Sequence, residues 1–283
     1  MKTIKSNLIY IRWHLIAIRY LSLFKNYRGN FLVPSAKSKI ASSLEINLKG
    51  FSNGPKIDDN ILNEIRKIYE SRIKDVVIGS KGAPFVNLIK DEDITIDNPI
   101  MKIAFSKDVF DAALDYFGGK IILDSIQLLY SVPTAGELRE SQKWHKDFGD
   151  TKSFHSITYL NDVTSVEEGP FVFLNKENSK KMKWSLFIRR ISDNIMQQEL
   201  KNGEVEYFYG KAGSTVFVDP AMCYHYGSRC KIPRYAIFVT FNSTTPFVSP
   251  LKIVENNQGK LLEVASNLRP DLSKKMLKNI IGV

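Results

Sequence analysis

IILDSIQLLYSV (121–132), SFHSITYL (153–160), PFVFL (170–174), EVEYFY (204–209), STVFV (214–218) and RYAIFVTF (234–241) dominate the second half of the chain. Each is short and rich in β-branched or aromatic residues, and turn-forming clusters separate most of them, so each reads as a strand. Two helical patterns precede them. After a Ser-, Lys- and Gly-rich loop (28–56), Asp58 and Asp59 cap a helix that places Ile61, Leu62, Ile65, Ile68 and Tyr69 on one face. A second begins after Ser106, buries Val109, Phe110, Leu114 and Phe117, and stops at Gly118-Gly119. A basic helical segment, about 176–201, interrupts the strands, and a last helix spans about 259–280. Helices first and strands afterwards predict a mostly β protein with a helical buttress, an α+β chain whose core is an antiparallel sandwich or barrel.

Composition narrows the class. The 283 residues are 43% apolar and 25% charged, which excludes wholesale disorder, and 16 Gly with 11 Pro exclude a collagen-like chain. Forty Lys and Arg against 30 Asp and Glu leave a net charge of +10, which favours an anionic partner: a small acid, a phosphorylated group or a membrane surface. The basic residues are scattered with no reading motif beside them, so nucleic acid is not expected. Two cysteines, Cys223 and Cys230, build no disulfide framework and point to a reducing, cytoplasmic location.

Residues 7–24 (NLIYIRWHLIAIRYLSLF) are apolar enough to suggest a span or a signal peptide, but Arg12, His14 and Arg19 argue against both. Lys5, Arg12 and Arg19 recur every seven residues, opposite Tyr10, Trp13, Ala17, Leu21 and Phe24. Residues 1–30 are therefore expected to hold a basic amphipathic helix. It either lies on the inner face of an anionic membrane or packs on the domain or a second subunit.

The chemistry gathers around three residues. In Trp144-His145-Lys146-Asp147, residues two apart on an extended segment project to one side, so His145 and Asp147 can share a metal ion. His225 follows the strand ending at Asp219-Pro220. Two imidazoles and one carboxylate, the second histidine far along the chain, match the facial triad of non-haem Fe(II) oxygenases. Arg234, nine residues after His225, can hold a carboxylate in bidentate fashion. Arg229 is the nearer arginine but falls in the turn. A hydrolytic zinc site competes for the same ligands, yet Cys223 and Cys230 lack thiolate-site spacing and read as small buried hydrophobes. His155 reads as a structural residue or a wall of the substrate pocket.

WHKD (144–147), YLNDVTSVEEGPFVFL (159–174) and HYGSRCKIPR (225–234) make residues 121–242 resemble the phytanoyl-CoA dioxygenase-like branch of Fe(II)/2-oxoglutarate-dependent oxygenases. The resemblance implies a double-stranded β-helix (jelly-roll, cupin-like) core over residues 31–283, with the 176–201 segment as a helical insert. It implies His145, Asp147 and His225 on Fe(II) and Arg234 on the far carboxylate of 2-oxoglutarate. Ser228 and Gln127 fall near co-substrate positions. The co-substrate and O2 would fill the remaining metal positions, giving succinate, CO2 and an oxidised substrate. Relatives that halogenate replace the carboxylate ligand, so Asp147 favours hydroxylation. Asn175-Lys176-Glu177-Asn178-Ser179 departs from the family's usual Pro-Gly-Ser-His, which leaves the substrate side open.

The basic residues Lys176, Lys180, Lys181, Lys183, Arg189 and Arg190 are either a solvated helix face or the mouth of a pocket for an anionic substrate. Such a substrate is lipid-linked, for example a lipopolysaccharide sugar, or a soluble acid, acyl thioester or natural-product intermediate. The competing class is a barrel that binds a ligand without catalysis.

Overall fold

The architecture is that of a computed structural model describing residue 8 and residues 38–73, 84–133, 136–182, 190–200 and 205–283. Apart from residue 8, the expected N-terminal helix lies outside these residues, as do Lys183 and Arg189. Among the described residues no helix is long and apolar enough to cross a membrane.

The strands are β1 (Phe51–Asn53), β2 (Phe85–Asn87), β3 (Ile121–Ser131), β4 (Trp144–His145), β5 (Ser153–Tyr159) and β6 (Phe171–Phe173), then β7 (Arg190–Ile191), β8 (Glu206–Phe208), β9 (Thr215–Val218), β10 (His225–Tyr226) and β11 (Arg234–Ser243). They form two antiparallel sheets, a six-stranded one ordered β1-β9-β5-β11-β3-β2 and a five-stranded one ordered β7-β4-β10-β6-β8. Along the chain β3, β5, β9 and β11 enter the larger sheet while β4, β6 and β10 enter the smaller, so the path crosses repeatedly between layers. The helices are α1 (Ala41–Lys49), α2 (Asp59–Ile73), α3 (Pro99–Ala104), α4 (Lys107–Tyr116), α5 (Lys176–Lys181), α6 (Asp193–Leu200), α7 (Lys252–Glu255), α8 (Gln258–Leu268) and α9 (Lys274–Ile281).

Strand alternation assigns each side chain to a layer. Ile126, Leu128, Ile237, Val239 and Phe241 point out of the larger sheet into a core shared with Leu62, Ile65, Phe110 and Leu261 of the helices. Ile157, Tyr159, Val216 and Ala236 point inward and meet Phe171 and Phe173 of the smaller sheet. Val172 and Leu174 face the opposite way, onto Trp144, Ile191 and Met196 under the insert. The expected β core with a helical buttress is what these layers make.

Several expected boundaries move. The 176–201 segment is not one helix: β7 separates α5 from α6, because Ile191 and Arg190 pair with Trp144 and His145 at the sheet edge. The final helix breaks into α8 and α9 across Arg269 and Pro270, since proline cannot continue a helix. The 28–56 loop contains α1 and β1, and β1 closes the edge of β9. On α2, Leu62, Ile65 and Tyr69 are buried as expected, but Ile68 is exposed.

Candidate metal centre

His145 and His225 sit directly opposite each other on β4 and β10, both facing the space between the sheets. Their ring centroids are 4.2 Å apart. Phe173 flanks His225 on its other side in register, and the Phe171 ring lies 5.3 Å from it. Asp147 is past the end of β4, where its backbone N–H donates to the Pro220 carbonyl at 2.9 Å. That bond ties the residue to the β9–β10 loop, so its carboxylate faces the two rings. One oxygen, Oδ1, is 3.5 Å from His145 Nε2 and 3.7 Å from His225 Nε2. One ligand atom from each of the three side chains lies within 4.8 Å of the others, a grouping that can hold a metal ion.

The backbone selects the histidine tautomers. His145 Nδ1 is 2.8 Å from the Lys143 carbonyl and His225 Nδ1 is 3.0 Å from the Cys223 carbonyl. A carbonyl only accepts, so each Nδ1 carries the proton and each Nε2 keeps its lone pair for the centre. Burial, reinforced by His145 alongside, pushes the His225 imidazole down to about 3, so the ring is neutral at pH 7. Burial alone would lift the Asp147 carboxyl. The imidazoles of His145, His225 and His155 alongside outweigh it and hold Asp147 well below the usual carboxylate range. The centre thus offers two imidazole nitrogens and a carboxylate, the donor set a divalent first-row metal takes. Asp147 is 34% exposed, against 8% and 7% for the two histidine side chains, so the centre opens on its carboxylate side.

Arg234 begins β11 opposite Ser131 and is 2% exposed. Its guanidinium donates to the Gly169 carbonyl at 2.5 Å and reaches Ser228 Oγ at 3.3 Å and Ser131 Oγ at 3.5 Å. The two serine hydroxyls share a 2.9 Å hydrogen bond. Among the described residues Arg234 Nε is buried without a hydrogen-bond partner. A buried cation with one unspent donor suits a carboxylate or phosphate in the space between the sheets. Gly169 is needed here. At φ +65° it is in the left-handed region, and a Cβ would come within 2.6 Å of the Cys230 side chain.

Ser228 stands beside Arg234. Gln127 is on β3 opposite Phe238, on the same face as Ser131, but makes no hydrogen bond to the triad or to Arg234. Arg229 is engaged elsewhere: it forms a two-bond pair with Asp193 at 2.9 and 3.0 Å and lies over the Tyr226 ring. Both cysteines are free thiols, and burial raises each of them. Among the described residues of the basic cluster, Arg190 pairs with Glu140, Lys181 with Glu177, and Lys176 donates to the Asn47 carbonyl, while Lys180 and Lys181 are exposed. Sequence reasoning undervalued His155. It faces the centre from β5, with Nε2 at 3.7 Å from Asp147 Oδ2. The spacing signal was available, since His155 and Tyr159 share the inner face of one strand.

No protein-family model matches the chain, and no curated protein sequence matches it either. Solved structures do. EctD from S. alaskensis with bound Fe superposes with a TM-score of 0.56 at 14% identity, over 76% of this chain and 85% of that one. The same protein with 2-oxoglutarate and 5-hydroxyectoine gives 0.55 at 14% identity, over 75% and 82%. The non-heme alpha ketoglutarate dependent carbocyclase SnoK from nogalamycin biosynthesis gives 0.53 at 13%, over 76% and 88%. At these identities the likeness is one of fold: the chain has the fold of the iron- and 2-oxoglutarate-binding structures.

Proposed function

We propose that this chain is an Fe(II)- and 2-oxoglutarate-dependent dioxygenase of the phytanoyl-CoA dioxygenase-like branch, built on a double-stranded β-helix. The alternation of strands between the two sheets supports the β-helix. The single observation that carries the activity is the convergence of His145, Asp147 and His225 between the sheets, with Arg234 buried on the inner face of the larger one.

The residues present fit the metal and co-substrate. His145 and His225 would donate through Nε2 and Asp147 through one carboxylate oxygen, and Arg234, steadied by Ser228, would hold the distal carboxylate of 2-oxoglutarate. Bound there, iron with 2-oxoglutarate and O2 supplies oxidising power sufficient to remove hydrogen from an unactivated carbon. The chain supplies the rest. Its backbone carbonyls fix both imidazole tautomers, the β9–β10 loop positions Asp147, and Phe171 and Phe173 keep water from one side of His225. Arg234 selects an anionic co-substrate and orients it. Gln127 belongs to the same wall and is proposed as a weaker co-substrate neighbour.

The substrate is proposed to be anionic and lipid-linked, such as a lipopolysaccharide sugar, hydroxylated at an unactivated carbon. The net charge of +10 supports it. So does the basic amphipathic pattern of residues 1–30, read as a peripheral membrane contact beside the domain at 31–283. SnoK, which shares the fold, is a carbocyclase, so this fold carries reactions besides hydroxylation. Succinate release across a panel of anionic sugars, acids and acyl thioesters, with and without Fe(II), tests the reading. Fe(II)-dependent succinate release stimulated by one of these compounds is expected. Release that ignores Fe(II) would overturn the activity, and stimulation by neutral compounds alone would overturn the substrate class.

A further inference from the structure

His155 is the third described histidine in the space between the sheets. It is on β5 opposite Thr240 of β11 and Val218 of β9, which fixes its backbone in the middle of the larger sheet. Its side chain is 17% exposed, and the Phe238 ring meets the imidazole edge to face at 6.4 Å. Three strands and one ring thus hold an imidazole whose polar edge points at Asp147.

The two carboxylate oxygens of Asp147 have different neighbours. Oδ1 faces His145 and His225, whereas Oδ2 faces His155 Nε2 at 3.7 Å. A hydrogen bond requires an approach closer by about 0.5 Å, within reach of a small turn of the carboxylate about its own bond. A ligating carboxylate is held by hydrogen bonds to its free oxygen, and the lifetime of its geometry depends on them.

We propose that His155 is a positioning residue that donates from Nε2–H to Asp147 Oδ2 and keeps that carboxylate bound to the metal through Oδ1 alone. The inference rests on the iron reading of the centre. A carboxylate free to swing onto the metal with both oxygens would occupy a position that the co-substrate or O2 needs. His155 prevents this by engaging the second oxygen, so two sheets cooperate in one centre: the smaller supplies the imidazole ligands and the larger fixes the carboxylate.

The test uses the full chain, with Fe(II) titrated anaerobically and Co(II) as a spectroscopic probe that does not turn over. His155→Leu removes the donor, and His155→Gln returns an amide N–H near the place of Nε2. Fe(II) binding about 10–100-fold weaker is expected for His155→Leu, with most of the loss recovered by His155→Gln. The visible Co(II) spectrum should shift in the Leu variant and return towards wild type in the Gln variant, a signature that a packing role would not produce. Thermal melts of the metal-free proteins identify misfolding. Where the Leu variant does not fold, His155→Asn, polar but too short to reach Oδ2, takes its place with the same expected loss. Wild-type affinity and spectrum in the Leu or Asn variant, or an equal loss in the Gln variant, would overturn the proposal. These results are separable from failure of the iron reading, in which wild type takes up no Fe(II) or His145→Ala takes it up unchanged.

Discussion

The Arg234 guanidinium donates to the Gly169 carbonyl and reaches the hydroxyls of Ser228 and Ser131, while its Nε has no partner among the described residues. One such cation, buried and hydrogen-bonded, suits the carboxylate end of the proposed co-substrate. Loss of a charge-assisted hydrogen bond costs about 1.5–3 kcal/mol, so Arg234→Ala should weaken 2-oxoglutarate binding about ten- to hundredfold. Arg234→Lys should recover only part, because an ammonium cannot present paired donors. Calorimetric titration of 2-oxoglutarate into the Fe(II)-loaded variants checks both, and a silent Arg234→Ala would remove the co-substrate assignment. Gly169→Ala tests the support behind it. A side chain at φ +65° against Cys230 should cost about 1–3 kcal/mol, read as a lowered urea midpoint, and an unchanged midpoint would show that the turn relaxes. The triad and Arg234 were legible because their types and order along the chain are themselves the signal. The β5 alternation put His155 on the inner face, but its approach to Asp147 was not legible, because Asp147 follows a different strand and the fold alone sets that distance.

At the scale of elements, α4 is fastened to the loop that carries the centre. Tyr116, its last residue, donates to the buried Asp219 carboxylate at 2.6 Å, and the backbone N–H groups of Ala221 and Met222 donate to the other oxygen at 2.9 and 3.1 Å. The same loop presents the Pro220 carbonyl to Asp147. Tyr116→Phe strands one carboxylate oxygen and should lower stability by about 1.5–3 kcal/mol in urea titrations; an unchanged midpoint would contradict this fastening. A second junction joins the start of β5 to the end of β11, where Asp150 accepts from the Ser243 N–H at 2.8 Å. Burial lifts the Asp150 carboxyl to about 6, outweighing its hydrogen bonds. Between about pH 4 and 6 the unfolded chain has released this proton and the folded chain has kept it. Stability from this group is therefore full below about pH 4, falls as pH rises, and is level above about 6, a change of up to about 3 kcal/mol. Asp150→Asn should flatten that part of the curve, and an identical pH slope in the variant would contradict it. The long strands β3, β5 and β11 were readable from β-branched and aromatic alternation. The segments α1, α3, β1 and β2 were not: they span three to nine residues, too few for a period to stand out, and tertiary pairing decides them.

Across the whole molecule, the helices bury one face of the larger sheet, the insert covers the outer face of the smaller, and the polar centre is left between the two layers. Phe171 and Phe173 show how sequence alternation achieves this: they face inward with His225 while Val172 and Leu174 face the insert. The substrate was never legible in that pattern, because it depends on side chains from separate segments that share no spacing. The central claim is that the centre binds Fe(II) and that metal and Arg234 together bind 2-oxoglutarate. Anaerobic titration of 2-oxoglutarate into the Fe(II)-loaded protein, followed by visible absorption, tests it most directly. A weak visible charge-transfer band that saturates at one equivalent, requires Fe(II), and disappears in His225→Ala is the predicted result. No band with Fe(II), or a band that survives His225→Ala unchanged, would contradict the account.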